Sequence, residues 1–287
     1  MIEFDVCQNF IFKDLAVRGT LVRLKDSYQT ITHQHHYPAV LGNLLGEGLL
    51  GVILMSSFLK QRGQLTLEFQ GEGDLSLLSA RCTANNEIRG LVRASPELIS
   101  TKNLMQALQN GYLNLTYEPE QMGEPYQSII EVTQTSIAKN LCEYFDRSEQ
   151  LPTRFVLFSD LDMAAGLMLQ VLPVQEGHSR EAFGTLAMLA ETLTPEEFKT
   201  CDFPTILRRL FHEYELELFP AKPIHFGCNC SFERMQNAIL NIGEEEAFDI
   251  LETEPYIEIT CEFCGRSQMF DADAVEQLFD GLGGKYH

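Results

Sequence analysis

Residues 226–235, FGCNCSFERM, and 259–268, ITCEFCGRSQ, each hold two cysteines: Cys228 and Cys230 spaced C-x-C, Cys261 and Cys264 spaced C-x-x-C. How these four thiols are read decides the fold of the last quarter of the chain. Four thiolates offered as two close pairs satisfy a tetrahedral Zn2+ ion, with Zn–S near ~2.3 Å and no vacant position. Gly265 directly follows the second pair, where a knuckle turn needs a residue free to take positive φ, and Gly227 precedes the first. A C-x-x-C alone is a weak signal; two pairs at this spacing are a strong one. Four unrelated buried cysteines is the competing reading, and the paired spacing weighs against it.

The segments around the pairs, SFERMQNAILNIG, EEEAFDILETE, YIEIT and DADAVEQLFDGL, are short. A module this small has too little core to fold unaided. Zinc would therefore supply much of its folding energy, on the order of ~10–16 kcal/mol as in small zinc peptides. Zinc-bound sulfurs are deprotonated, and the thiolate is the form that oxidants attack. Cysteines one or two residues apart can close a disulfide with little chain movement, readily in C-x-x-C and with a tighter ring in C-x-C. The residues alone leave both a structural zinc site and a redox-reactive one open.

The rest of the composition narrows the setting. The 287 residues are 45% hydrophobic and 22% charged, which is globular material with room for one large domain or two to three smaller ones. With 41 acidic against 21 basic residues the net charge is −20. That field repels phosphate backbones and anionic membranes, so neither nucleic acid nor a membrane is expected as a partner. The start MIEFDVCQNF has neither the basic nor the apolar region of a signal peptide, and a cytoplasmic location is expected. Thiols stay reduced there, which favours metal or redox chemistry over a structural disulfide framework. The run VLGNLLGEGLLGVILMSSFL is about long enough to cross a bilayer, but Asn43, Glu47 and four glycines interrupt it. It reads as a buried helix.

Upstream of the cysteines the pattern is α+β. VRGTLVRL reads as a strand. QLTLEFQ and LSLLSARC flank GEGD, a hairpin signal with glycines where positive φ is easiest. NNEIRGLVRA adds a turn and a strand, and YLNLTYE and YQSIIEV flank the Pro/Gly turn PEQMGEP. SIAKNLCEYFDRSEQ puts Ile137, Leu141, Tyr144 and Phe145 on one helical stripe, and TRFVLFS and GLMLQVLP follow as strands. After VQEGHSR the character becomes helical: EAFGTLAMLAETL is amphipathic, and Thr194, Pro195 and Glu197 form the pattern of a capping box. FPTILRRLFHEYELELF gives a helix and a short alternating strand. The expected organisation is a hairpin-rich α+β domain at 1–177, a metastable helical connector at 178–225 and a small zinc-binding redox domain at 226–287.

With the cysteine pattern, the wording HFGCNCSFERMQNAILNIGEEE and YIEITCEFCGRSQMFD resembles the redox domain of the cytoplasmic holdase chaperones of the thirty-three-kilodalton heat-shock family. The resemblance continues upstream through LRRLFHE, GLMLQVLP, YFDRSEQLPTRF and GEPYQSI and more weakly to the N-terminus, with SEQLPT and the cysteines its most specific parts. There is no departure at the four cysteines. The resemblance implies a reduced form that holds one Zn2+ per chain on Cys228, Cys230, Cys261 and Cys264 and is largely inactive. It further implies that oxidation, commonly with heat, forms Cys228–Cys230 and Cys261–Cys264 disulfides and releases the zinc. The terminal module and connector then lose structure, the protein dimerises, and it binds unfolded or partly folded clients without ATP. Cys7, Cys82, Cys142 and Cys201 lie outside the pattern and read as small buried hydrophobes.

Other motifs carry less. His33, His35 and His36 in HQHHY read as solvated or half-buried residues between helices rather than a metal site. GNLLGEGLLG lacks the G-K-[ST] ending of a phosphate loop, HEYE lacks a second histidine, and no G-x-S-x-G is present. No enzyme active site is expected. Two further classes stay open beside the holdase: a thiol–disulfide oxidoreductase using Cys261 and Cys264, and a constitutive structural zinc module of an interaction protein.

Overall fold

Alternating apolar side chains lay seven segments of the first half of the chain into strands, because every second residue faces one side of a sheet. The computed structural model describes residues 2–59, 61–95, 103–121, 123–173 and 177–283. It divides into Met1–Gly227 and Cys228–His287.

In the first unit the elements run β1 (Val6–Phe12), β2 (Val17–Leu24), α1 (Asp26–Gln34), α2 (Ala39–Ser56), β3 (Gly63–Gln70), β4 (Leu75–Thr83) and β5 (Glu87–Ala94). Then come α3 (Leu104–Leu108), β6 (Tyr112–Pro119), β7 (Tyr126–Glu131), α4 (Ile137–Tyr144), β8 (Thr153–Ser159) and β9 (Ala164–Val171). The unit ends with α5 (Gly177–Ala190), α6 (Pro195–Thr200), α7 (Phe203–Phe211), β10 (Leu216–Leu218), β11 (Lys222–Pro223) and β12 (His225–Phe226). One sheet has the antiparallel order β10-β1-β2-β9-β8, with β11 also paired to β1. The other runs β12-β5-β4-β3-β6-β7, antiparallel except where β12 lies parallel to β5.

The apolar run at 40–59 is the helix between these sheets. α2 packs on β3, β4 and β5 of one sheet and on β2, β8 and β9 of the other. It is long and apolar enough to cross a membrane, yet Leu45, Leu49, Leu50 and Leu54 are fully buried in the protein's own core.

A second core lies on the other face of the first sheet. Phe10 and Phe12 of β1, Leu21 of β2 and Leu167 and Leu169 of β9 meet Leu186 of α5, Phe198 of α6 and Ile206, Leu207 and Phe211 of α7. Strand β9 is thus covered on both faces, which is why AAGLMLQV reads as an almost unbroken apolar run. Buried Arg23 of β2 ties the sheet to the joint between α6 and α7. Its guanidinium donates to the carbonyl of Cys201 (2.7 Å) and of Glu3 (3.2 Å) and lies 4.8 Å from the Phe203 ring centre. Desolvation lowers its pKa to about 10, partly countered by Asp202.

Local signals hold where their chemistry is local. The Thr194 hydroxyl accepts from the N–H of Glu197 and the Glu197 carboxylate accepts from the N–H of Thr194, closing the capping box with Pro195 in the first turn. Two readings change. The GEGD hairpin forms, but neither Gly71 nor Gly73 takes positive φ; an added Cβ would lie 2.1 Å from the carbonyl oxygen of Leu108 and 2.4 Å from that of Ala107. These glycines allow the turn to approach α3 closely. The stripe from Ile137 does not continue as one α-helix, because Phe145–Glu149 is a π-helical turn in which Tyr144 Oη donates to Glu149 Oε1, five residues on (2.7 Å). Residue 122 of the PEQMGEP turn and residues 174–176 lie outside the described residues.

Candidate metal centre

In the second unit the sequence builds two short scaffolds and hangs a cysteine pair on each. Strands β13 (Ile257–Thr260) and β14 (Ser267–Phe270) form an antiparallel hairpin, with Thr260 opposite Ser267. Between them the N–H of Gly265 donates to the carbonyl of Cys261 (2.8 Å) and the N–H of Cys261 to that of Arg266 (2.9 Å). Gly265 sits at φ +65°, the left-handed conformation a knuckle needs, with nothing within 4 Å of an added Cβ. The first pair precedes α8 (Phe232–Ile242), whose cap Ser231 accepts from the N–H of Arg234 (3.2 Å). Helices α9 (Glu244–Thr253) and α10 (Ala272–Gly283) complete the unit.

These scaffolds bring all four sulfurs to one point. The Sγ atoms of Cys228, Cys230, Cys261 and Cys264 all lie within 4.8 Å of one another, and among the described residues no other group of three or more His, Cys, Asp or Glu side chains could hold a metal. Cys228 and Cys261 are 3.6 Å apart, Cys230 and Cys264 3.3 Å. A tetrahedron with Zn–S near ~2.3 Å has edges of about 3.8 Å. The observed spacing brackets that value, so the donor set fits a tetrahedral thiophilic cation. Both of these contacts run between the motifs, and all four cysteines are free thiols.

Electrostatics says the same. Burial pushes the Cys228 thiol up, but the backbone N–H of Cys230 and the neighbouring thiols more than offset it, leaving it below the ordinary value. Burial raises Cys230, and burial with proton donation to its neighbours pushes Cys264 up to about 12. Alone, the cluster favours one thiolate at the expense of others. A divalent cation removes the repulsion that prevents four.

Among the described residues the unit's buried apolar side chains are Met235, Ile239, Ala247, Ile257, Phe270 and Val275, a small core ringed by partly buried residues such as Phe248, Leu251 and Leu278, with Phe232 stacked on Phe270 at 5.4 Å. All four cysteines are half-buried, within reach of a small oxidant.

Elsewhere Cys7, Cys82, Cys142 and Cys201 are buried, and burial raises Cys7 to about 11, Cys82 to about 12 and Cys142 above its ordinary value, which disfavours the thiolate at those three. His33 and His36 are exposed, while His35 is half-buried and stacked on Tyr37 at 4.9 Å. Sequence reading gave no role to Arg23; its one signal was a charge flanked by Val22 and Leu24 in the strand VRGTLVRL.

A family model described as Hsp33 protein matches residues 5–271. The 33 kDa chaperonin of Pseudomonas paraeruginosa is 41% identical, covering 99% of this chain and 97% of its own. That of Shewanella baltica is 38% identical over 96% of each. The crystal structure of the 33 kDa chaperonin (heat shock protein 33 homolog) from Thermotoga maritima superposes with a TM-score of 0.83, covering 98% of this chain and 99% of that one at 22% identity.

Proposed function

The chain belongs to the Hsp33 family of chaperones, and from that premise we propose that it is a redox-regulated holdase of the cytoplasm that binds unfolding proteins without ATP. The observation that carries this reading is four accessible reduced thiols, gathered within 4.8 Å on a unit whose core is only a few side chains. On this reading Cys228, Cys230, Cys261 and Cys264 hold one Zn2+ per chain. The ion supplies the charge that lets all four sulfurs ionise and the energy that keeps the unit folded.

Oxidation withdraws the ligands. Each Cys228–Cys230 or Cys261–Cys264 disulfide forms as two thiolates give two electrons to an oxidant such as peroxide, which takes two protons from solvent and leaves as two waters. In a tetrahedral cluster every sulfur neighbours every other, so the contacts between the motifs do not set the pairing. Short sequence separation favours closure within each motif.

The chain itself carries the consequence forward. Cys228 follows directly on Gly227, whose N–H donates to the carbonyl of Ile88 (3.0 Å), and β10, β11 and β12 pair with β1 and β5. When the module unfolds, this anchor and the connector behind it at 178–225 come loose. Undocking α5, α6 and α7 uncovers Phe10, Phe12, Leu167 and Leu169 together with the connector's own Phe198, Leu207 and Phe211. A contiguous apolar surface of that kind binds unfolded chains with no sequence code, and two opened copies can cover part of it by dimerising. The net charge of −20 keeps the opened form soluble.

Aggregation of a heat-denatured client, followed by light scattering, tests the reading. Protein oxidised at elevated temperature suppresses scattering, reduced protein does not, and thiol reductant reverses the effect. Catalytic turnover in an insulin-reduction assay without client protection would instead identify a thiol–disulfide oxidoreductase. Zinc retained through oxidation, with no client binding, would identify a structural zinc module.

A further inference from the structure

A cavity of about 210 Å³ lies where the core helix, the β8–β9 hairpin and the connector meet, lined by Glu47, Leu157, Asp160, Pro195, Phe198 and Lys199 among others. Its roof is α6. Glu47 is the one charged side chain of α2. Desolvation raises its pKa from 4.5 to about 7, and among the described residues no hydrogen bond or neighbouring charge offsets it.

The polar groups around it are engaged with one another. Lys199 of α6 is committed to Asp160, 2.7 Å away. From α1, Tyr28 Oη donates to the Asp160 carbonyl (2.9 Å), and from β8, Ser159 Oγ donates to Tyr28 Oη (3.3 Å). Strand β4 presents Leu78 and Ala80 beside Gly48. One helical turn before Glu47, on the same face, the amide oxygen of Asn43 is buried without a hydrogen-bond partner.

We propose that Glu47 is a positioning residue of the connector: neutral, it lets α6 close over the cavity, and ionised, it favours release of α6. That this release matters for client binding rests on the holdase reading; the docking equilibrium itself does not. The sign follows from proton linkage. The docked state keeps its proton up to about pH 7, whereas an opened, solvated carboxyl loses it near 4.5. The docked state therefore binds more protons across that window, docking weakens as pH rises through it, and the effect levels off above it. Between pH 6 and pH 8 the opening constant rises by about tenfold.

Hydrogen exchange of the α6 and α7 amides, in the full-length, reduced, zinc-loaded protein, tests this at pH 6, 7 and 8. Each opening constant is divided by that of Glu47→Gln, which cancels the pH dependence of exchange chemistry and of all other groups. The expected ratio climbs about tenfold from pH 6 to pH 8, and a flat ratio overturns the proposal. Should the Gln variant fold poorly, Glu47→Met, apolar and of similar length, is the reference and must give the same climb. A climbing ratio without client protection in the oxidised protein removes the holdase reading and leaves the role of Glu47. A flat ratio with client protection intact does the reverse.

Discussion

Phe211→Ala separates the stability of the docked connector from that of the protein as a whole. Phe211 closes α7, is 1% exposed, and meets Phe12 edge-on at 5.2 Å and Phe10 at 6.3 Å. Truncating a buried phenylalanine costs about 3–5 kcal/mol, the transfer of the ring plus the cavity it leaves. Both aromatic partners belong to β1 and the lost ring to the connector, so the cost falls on docking. Even the lower figure raises the opening constant by at least about a hundredfold, at 1.4 kcal/mol per factor of ten. Limited proteolysis of the reduced, zinc-loaded protein reads this directly, with cleavage expected within 177–211 at rates well above those of the parent. The same variant is expected to suppress client aggregation in part before any oxidation. Leu67→Ala, an equally buried site in the core around α2, is the control: its melting temperature falls without early cleavage in the connector. If Phe211→Ala lowers the melting temperature as Leu67→Ala does, and the connector stays as protected as in the parent, docking is not a separable equilibrium and the reasoning fails.

Cys261→Ser removes one thiolate from the cluster; zinc content by atomic absorption is expected to fall far below one per chain, with amide protection lost across the second unit. Unchanged metal content and melting would contradict a four-thiolate site. Gly265→Ala meets no steric obstacle and pays only for a left-handed backbone, about 1–2 kcal/mol, so competition with a chelator is expected to show zinc affinity weakened by about tenfold while one ion per chain still binds.

What the sequence disclosed and what it hid divide by range. The Gly265 knuckle and the Thr194 capping box are each set by residues a few positions apart, and the cysteine cluster by two such close pairs that the fold brings together; each stands in the structure as read. Strand β1 was invisible as a strand. VCQNFIF turns Val6, Phe10 and Phe12 to the second core with polar Gln8 between them, and its pairing with β10 joins residues some 200 positions apart, which no local pattern records. The strand order has the same origin, since β9 enters the middle of its sheet between β2 and β8. At GEGD the glycines were legible but their reason was not, because the atoms they make room for belong to α3, more than thirty residues on. Glu47 was legible as an anomaly in an apolar helix; that it faces a cavity roofed by α6 required the fold.

Zinc release and hydrogen exchange followed together, during peroxide treatment of the reduced protein at elevated temperature, decide whether sulfur ligation of a metal holds the second unit and, through it, the connector. About one zinc per chain should leave, with protection lost first in 228–283 and then in 177–211. A protein that keeps both its ion and its protected connector while its cysteines oxidise, or one that contains no metal when purified reduced, would contradict it.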